Sequence, residues 1–164
     1  MPKTILFVCT GNSCRSVMAK GLMERWLQQR GGPVATAFQV KSAGVAAMEG
    51  MGASRETREL LQQVGVEAGG HLARRLTDQA IREAELIFTM EPAHVEEIVR
   101  RVPEAKAKTY LLKTFGVKNH NPLSSPAIPD PIGKPMEVYE VCFMMIQEAI
   151  EQVGKWLTEH ARSA

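Results

Sequence analysis

Two patterns of apolar residues alternate along the chain. Nearly continuous apolar runs, typical of strands buried on both faces, occur at residues 4–8, at Phe38 and Val40, at residues 85–90 and at residues 108–112. Apolar residues at helical spacing and capping residues predict helices between them, at residues 16–30, 54–64, 77–84, 92–102 and 135–160. Because strands alternate with helices, the pattern predicts an α/β fold whose parallel sheet carries helices on both faces.

Local signals mark where several elements begin or end. Ser54 and Thr77 are predicted to cap two helices, because their hydroxyl oxygens can accept a hydrogen bond from a backbone N–H. Gly31, Gly32 and Pro33 are predicted to end the first helix. We predict a single domain spanning residues 1–164, since no linker, internal repeat or low-complexity tract divides the chain.

One long segment, residues 115–135, contains five prolines and shows neither pattern. Loops of this length inside a compact domain are usually functional or disordered. Five prolines make this loop stiff, because each one fixes a backbone angle. The segment is therefore predicted to serve the function of the protein.

The composition is that of an ordinary globular protein, with 45% hydrophobic and 23% charged residues. The net charge of +2 gives no case for nucleic acid or a membrane surface as a partner. No apolar run is long enough to cross a membrane, and the first residues lack the layout of a signal peptide. Three cysteines do not make a disulfide framework, so we expect a cytoplasmic protein with free thiols.

The largest group of residues that can carry chemistry follows the first strand, in a glycine-containing loop that leads directly into a helix. The loop consists of Cys9, Thr10, Gly11, Asn12, Ser13, Cys14, Arg15 and Ser16. Such a loop turns successive backbone N–H groups inward, and the N-terminus of the helix adds partial positive charge. The arrangement predicts a cradle for phosphate or another tetrahedral oxyanion. It is not a nucleotide-binding P-loop, because the Gly-Lys-Ser/Thr ending is missing.

Three residues carry the predicted reaction. The thiol of Cys9, held over backbone amides and a helix N-terminus, is expected to ionise readily and to attack phosphorus. The guanidinium of Arg15 is suited to grip two phosphoryl oxygens. Asp130 lies between two prolines after the fourth strand, at the sheet edge where Cys9 is also predicted to lie. We expect Asp130 to protonate the leaving group and then to activate water.

The Cys9–Ser16 loop, the turn at residues 42–44, His71 and the pair Asp130-Pro131, in this order, resemble the low-molecular-weight protein tyrosine phosphatases. The resemblance covers nearly the whole chain. It implies a three-layer sandwich with a four-stranded parallel sheet, a phosphorylated protein as substrate, and no metal or cofactor. It also implies that Cys9 forms a phosphocysteine intermediate, that Arg15 binds the phosphate, and that Asp130 is the acid.

The resemblance further implies supporting roles around the loop. Ser16 would donate a hydrogen bond to the Cys9 thiolate and help its departure in the second step. Asn12, Ser42 and His71 would hold the loop in its strained shape by hydrogen bonds, without touching the reacting atoms.

Three positions depart from the pattern of the tyrosine-specific members. Ser13 stands where isoleucine is usual, Ile132 and Gly133 stand where tyrosines line the pocket wall, and Val17 replaces a proline with little expected effect. A phosphotyrosine ring gains from aromatic walls, which are fewer here. Bacterial protein arginine phosphatases of the same family resemble this chain in carrying a hydroxyl residue, threonine, at position 13. Phosphotyrosine is therefore the family default, and phosphoarginine is the alternative that Ser13 and Ile132 suggest.

Two other classes of protein fit the sequence less well than a phosphatase does. A non-catalytic phosphate-binding module would lack Cys9, Arg15 or Asp130, and all three are present. The thioredoxin-linked arsenate reductases also carry serine at position 13, but they need two further cysteines in a mobile segment. The other cysteines here are Cys14 and Cys142, and Cys142 falls on the apolar stripe of the last helix, as a core residue would. A redox enzyme is therefore the more distant alternative.

Cys14 has two interpretations that the sequence leaves open. It can trap oxidised Cys9 as a reversible disulfide, or it can be a small buried filler, since geometry decides which cysteines pair. The other histidines and the paired arginines show no metal-ligand spacing and are predicted to be exposed. They are His94, His120, His160, Arg74, Arg75, Arg100 and Arg101.

Overall fold

Within residues 1–161, which the computed structural model describes, four strands form one parallel sheet. The strands are β1 (Lys3–Cys9), β2 (Phe38–Gly44), β3 (Ala84–Thr89) and β4 (Thr109–Leu111). They pair in the order β2-β1-β3-β4, so β1 lies between β2 and β3. The register places Cys9 beside Gly44 and Val8 beside Thr89, so these strands end together at the carboxyl edge of the sheet.

Six α-helices cover the sheet in the described part of the chain. They are α1 (Arg15–Arg30), α2 (Gly32–Ala37), α3 (Arg55–Gln63), α4 (Asp78–Glu83), α5 (Pro92–Arg101) and α6 (Met136–Ala161). Two short 3₁₀ helices, Pro103–Lys108 and Leu112–Thr114, flank β4. Across residues 1–161, none of the helices combines the length and the apolar character needed to cross a bilayer.

Alternate residues of β1 pack into two separate cores. Ile5 and Phe7 belong to a core that α1 and α6 close from one side of the sheet. Leu6 and Val8 belong to a second core, which α4 and α5 close from the other side. A strand buried on both faces reads as a continuous apolar run, which is why residues 4–8 gave that signal. The predicted three-layer α/β sandwich with a four-stranded parallel sheet is confirmed.

The boundaries of the helices follow local chemistry. The caps predicted at Ser54 and Thr77 are confirmed, because each hydroxyl accepts from the backbone N–H three residues further on. Gly31 and Gly32, with φ of 64° and 67°, end α1 as predicted, but α2 begins at Gly32 and was not predicted. Only Val34 of that helix is buried, so the segment has no apolar periodicity to detect.

The proline-containing segment 115–135 has no strand or helix, as predicted. It is tied to the carboxyl edge of the sheet at Ile128, which is fully buried and whose N–H donates to the carbonyl of Met90 at 2.8 Å. This contact brings the segment next to the end of β3 and positions the residues that follow it.

Candidate active site

The loop at residues 9–16 leads from the last residue of β1, Cys9, to the start of α1 at Arg15. Both side chains are buried, with exposed fractions of 2% for Cys9 and 1% for Arg15. The other loop residues are buried at Asn12, Cys14 and Ser16 and half-buried at Thr10, Gly11 and Ser13. Charges in such a place interact more strongly than they would in water.

Asn12 holds the loop in the left-handed conformation, with φ of 52°, which is uncommon outside glycine. Its side-chain amide donates to Ser16 Oγ at 2.8 Å and to Ser42 Oγ at 3.0 Å. Its side-chain oxygen accepts from the backbone N–H of Arg74 at 2.9 Å, and its carbonyl accepts from His71 Nε2 at 2.8 Å. The structure thus brings the predicted support residues together, and their hydrogen bonds offset the strain of the backbone.

The His71 ring is neutral at pH 7. Burial lowers its pKa below the usual value, and the nearby charges of Lys20 and Arg74 lower it further, although the hydrogen bond to Asn12 opposes them. A neutral ring that donates from Nε2 has no proton on Nδ1, so the contact fixes the tautomer.

The end of β2 holds the loop backbone from one side. The backbone N–H groups of Val45 and Ala46 donate to the carbonyls of Cys9 at 3.0 Å and Thr10 at 2.9 Å. Gly44 permits this approach, because a Cβ atom there would lie 2.5 Å from the carbonyl oxygen of Thr10. The turn at residues 42–44, noted in the sequence, is therefore a part of the site that tolerates no side chain at its last position.

The sulfur of Cys9 has two hydrogen-bond donors beside it. Its Sγ lies 2.9 Å from Ser16 Oγ and accepts from the Asn12 N–H at 3.3 Å. Because Ser16 Oγ already accepts from the Asn12 amide, its own hydrogen is available to the sulfur. Both contacts, together with the N-terminus of α1, direct hydrogen-bond donors and partial positive charge toward the sulfur.

The guanidinium of Arg15 has four neighbours in the described residues. Its Nη1 donates to the carbonyl of Ile128 at 2.7 Å and lies 3.1 Å from Glu91 Oε2. Its Nη2 donates to Thr10 Oγ1 at 3.5 Å and lies 3.6 Å from Asp130 Oδ2. A buried charge needs such partners, because burying it alone is costly. The contacts also bring Asp130 to the loop, as the sequence predicted.

The rim near Asp130 is polar and open. The Asp130 carboxyl is 39% exposed, and its Oδ1 accepts from the N–H of Ile132 at 3.1 Å. Ile132 is 54% exposed, and Ser13 is half-buried with its Oγ 3.6 Å from Cys14 Sγ. No aromatic side chain of residues 1–161 is exposed. The rim therefore presents a hydroxyl, a carboxyl and an aliphatic side chain, but no ring.

Glu91 and His94 are site residues that the sequence analysis missed, and the prediction that His94 is exposed is wrong. His94 is 2% exposed; its Nδ1 accepts from the Glu91 N–H at 3.1 Å, and its Nε2 donates to Thr10 Oγ1 at 2.9 Å. Burial and then the charge of Arg15 lower the pKa of His94 to about 4, so the ring is neutral at pH 7. A topological signal was available, because both residues follow β3 and so lie at the carboxyl edge.

A second side chain predicted to be exposed is half-buried. Arg101 is 22% exposed, and it donates to Asp78 Oδ1 at 2.8 Å and to the carbonyl of Leu76 at 3.0 Å. It thereby links α5 to α4. The remaining members of that group are exposed as predicted: His120, His160, Arg74, Arg75 and Arg100.

All three cysteines are buried free thiols. The single S–H of Cys14 can donate to Ser54 Oγ, at 3.4 Å, or to the hydroxyl of Tyr139, at 3.9 Å. Burial, reinforced by Cys14, raises the pKa of Tyr139 to about 12. Cys142 is a core residue as predicted, and burial raises the pKa of its thiol to about 12. The pairing of Cys14 with an oxidised Cys9 stays a prediction.

Comparison of the sequence with known proteins shows which family it matches. The model of the low molecular weight phosphotyrosine protein phosphatases matches residues 4–163. A protein-arginine-phosphatase of Geobacillus stearothermophilus is 39% identical over 157 residues, which cover 96% of this chain and 97% of that protein. A putative low molecular weight protein-tyrosine-phosphatase of Klebsiella pneumoniae is 37% identical over 149 residues, covering 91% and 93%.

Solved structures agree with the sequence comparison. An arginine phosphatase from Geobacillus stearothermophilus superposes with a TM-score of 0.83 and 37% identity, covering 99% of this chain and 97% of that one. The tyrosine phosphatase Wzb from Escherichia coli K30, in complex with sulphate, superposes with a TM-score of 0.80 and 29% identity, covering 96% and 99%. The fold and the cysteine loop define a cysteine-dependent protein phosphatase. This chain belongs to the low-molecular-weight phosphotyrosine protein phosphatase family.

Proposed function

We propose that Cys9, Arg15 and Asp130 carry the hydrolysis of phosphorylated protein side chains in this chain, through a phosphocysteine on Cys9. The observation behind the proposal is that Asp130, distant in sequence from the loop that holds Cys9 and Arg15, meets that loop at one edge of the sheet, with its Oδ2 3.6 Å from Arg15 Nη2. We also propose that residues 1–164 act as one phosphatase domain, a view that the family match over residues 4–163 supports.

In the first step, the thiolate of Cys9 attacks phosphorus, and the bond from phosphorus to the leaving group breaks. Asp130 begins this step protonated and gives its proton to the leaving group. The backbone N–H groups of residues 10–16 and the guanidinium of Arg15 stabilise the negative charge on the phosphoryl oxygens. The loop would bind inorganic phosphate or a similar tetrahedral oxyanion by the same contacts.

In the second step, water attacks the phosphocysteine and Asp130, now a carboxylate, takes the proton from that water. The bond between phosphorus and sulfur breaks, and Cys9 leaves as a thiolate that accepts a hydrogen bond from Ser16. Phosphate is released, and each group returns to its starting state. Asn12, Ser42 and His71 act indirectly, by keeping the loop in shape.

The variant Cys9→Ser tests the mechanism. It should bind inorganic phosphate but lose turnover of p-nitrophenyl phosphate, because a serine hydroxyl in this place is a far weaker nucleophile than a thiolate. Calorimetry measures the binding, and absorbance of the released phenol measures the turnover. Cys142→Ala, which removes a buried thiol that does not belong to the loop, is the control and should keep its turnover. Substantial turnover by Cys9→Ser would overturn the proposal.

Within this class, we propose phosphoarginine as the preferred target and phosphotyrosine as the second candidate. The absence of an exposed aromatic side chain in residues 1–161 supports this order, since the rim offers no ring for a phosphotyrosine to stack on. The partly exposed carboxylate of Glu91, at 33%, would attract the positive charge of a phosphoguanidinium. The names of relatives leave both targets open, because one relative is an arginine phosphatase and another a tyrosine phosphatase.

Two phosphopeptides with identical flanking residues test the target. One carries phosphoarginine, the other phosphotyrosine, and Cys9→Ser serves as the blank. A higher kcat/KM for phosphoarginine is expected. A higher kcat/KM for phosphotyrosine would mean that Ser13 and Ile132 are neutral variations, and phosphotyrosine would then replace phosphoarginine as the proposed target.

A further inference from the structure

Glu91 is a partly exposed carboxylate that contacts the buried guanidinium of Arg15. It lies between the end of β3 and the start of α5, and its Oε2 is 3.1 Å from Arg15 Nη1 and 3.5 Å from His94 Nε2. The guanidinium is 1% exposed, whereas the Glu91 side chain is 33% exposed. A carboxylate this close to a buried charge acts on it through a lower dielectric than a surface pair would. The His94 ring adds no charge at pH 7, because its pKa is about 4.

The two ends of the Arg15 guanidinium are held differently. Nη1 has close contacts, at 2.7 Å to the Ile128 carbonyl and 3.1 Å to Glu91. Nη2 has long ones, at 3.5 Å to Thr10 Oγ1 and 3.6 Å to Asp130 Oδ2, which is beyond the range of strong hydrogen bonds. An oxyanion in the loop can therefore take the Nη2 end while the Nη1 end keeps both of its partners.

We propose that Glu91 is a positioning residue that anchors the Nη1 end of Arg15 and whose negative charge weakens phosphate binding, so that the product leaves the loop. The inference rests on the phosphatase function proposed above for the same site. When Asp130 is protonated for the first step, Glu91 is the carboxylate that remains beside the guanidinium. A single charge a few ångströms from a bound anion changes its affinity by about 3- to 10-fold in a partly buried site.

The Glu91→Gln variant removes the negative charge of Glu91 but keeps a side chain of the same shape beside Arg15. The glutamine side chain keeps an oxygen that can accept from Nη1 but carries no charge. We expect its dissociation constant for inorganic phosphate, measured by calorimetry at pH 7 and low ionic strength, to fall about 3- to 10-fold. The inhibition constant of phosphate against p-nitrophenyl phosphate should fall in parallel. Added salt should shrink the difference, because it screens charge.

Glu97→Gln is the matched control. Glu97 lies on α5, its side chain is also 33% exposed, and it too pairs with an arginine, Arg100, at 2.7 Å. Its substitution removes the same charge from the helix that follows Glu91, without touching Arg15. We expect its phosphate affinity to equal that of the native protein, so a general effect of net charge is excluded.

Glu91→Asp gives a second measure, since it keeps the charge but draws it back from Arg15. Its phosphate affinity should be higher than that of the native protein and lower than that of Glu91→Gln, and the comparison with the native protein stands even if Glu91→Gln does not fold. Phosphate affinity that is unchanged or lower in both folded variants would overturn the inference. Failure of the native protein and of Glu97→Gln to bind phosphate at all would instead overturn the proposed function.

Discussion

Arg15 is the residue that contacts the most parts of the site. Its guanidinium is almost wholly buried, and its partners come from the loop itself, from the end of β3 and from the segment before α6. The spacing from Cys9 predicted that Arg15 binds phosphate, because both residues belong to the loop. The spacing could not identify Glu91 or Ile128, because a single carboxylate or a backbone carbonyl leaves no motif in a sequence.

The role of Asp130 can be tested at the same scale. Asp130→Asn should slow the hydrolysis of substrates with poor leaving groups, such as alkyl phosphates, by about 100-fold or more, because the leaving group then lacks its proton donor. p-Nitrophenyl phosphate, whose leaving group needs little help, should lose much less. The measurement compares kcat for the two substrates in both proteins. Equal losses for both substrates would show that Asp130 is not the acid.

The end of β2 is the element that shapes the loop. The backbone N–H groups of Val45 and Ala46, which follow its last residue, donate to the carbonyls of Cys9 and Thr10, while Ser42 accepts from Asn12. The sequence predicted the strand and noted the turn at its end. The contact itself was beyond prediction, because the approach of one backbone to another depends on how β2 pairs with β1.

Gly44→Ala tests this element. The added Cβ would lie 2.5 Å from the Thr10 carbonyl oxygen and 2.9 Å from the Asn12 nitrogen, so the loop backbone must shift. We expect a loss of stability of about 1–3 kcal/mol, typical of overpacking, together with weaker phosphate binding. Gly52→Ala is the control, because a Cβ there meets nothing within 4 Å. Native phosphate affinity in Gly44→Ala would show that the loop does not need this close approach.

The whole molecule places one sheet between two cores, with the site at its carboxyl edge. The alternation of strands and helices was enough to predict these layers. Because parallel strands end at one common edge, it was also enough to predict Asp130 at the same edge as Cys9. The order of the strands was not predictable from the pattern, since apolar runs show that strands are buried but not which ones pair. Glu91 and His94 depend on that order, because β3 lies directly beside β1.

The stability of the whole molecule should depend on pH through His94. Its pKa is about 4 in the folded protein, against 6.5 for an ordinary histidine, so between these values protons favour the unfolded chain. The neutral His94 ring makes its full contribution to the free energy of unfolding above pH 6.5. This contribution is lost as the pH falls toward 4, by an amount on the order of 3 kcal/mol. The lowered pKa of His71 acts in the same direction.

Urea denaturation at several pH values between 7 and 4 measures this dependence. The free energy of unfolding of the native protein should fall steeply as the pH drops, and that of His94→Gln should fall less, whatever its value at pH 7. His160→Gln, a substitution of an exposed histidine, should keep the native slope. The same slope in His94→Gln and the native protein would contradict the assignment.

The distance in sequence between Arg15 and Ile128 has a consequence for protein synthesis. The loop leaves the ribosome before its carbonyl partner and Asp130, which lie more than a hundred residues further along the chain, and α6, which closes the core over α1, follows them. A nascent chain that stops before Ile128 therefore contains every residue of the phosphate loop but not the pocket that holds Arg15. Complete phosphatase sites thus arise only on chains that extend beyond Asp130, and fragments whose translation stops earlier lack them.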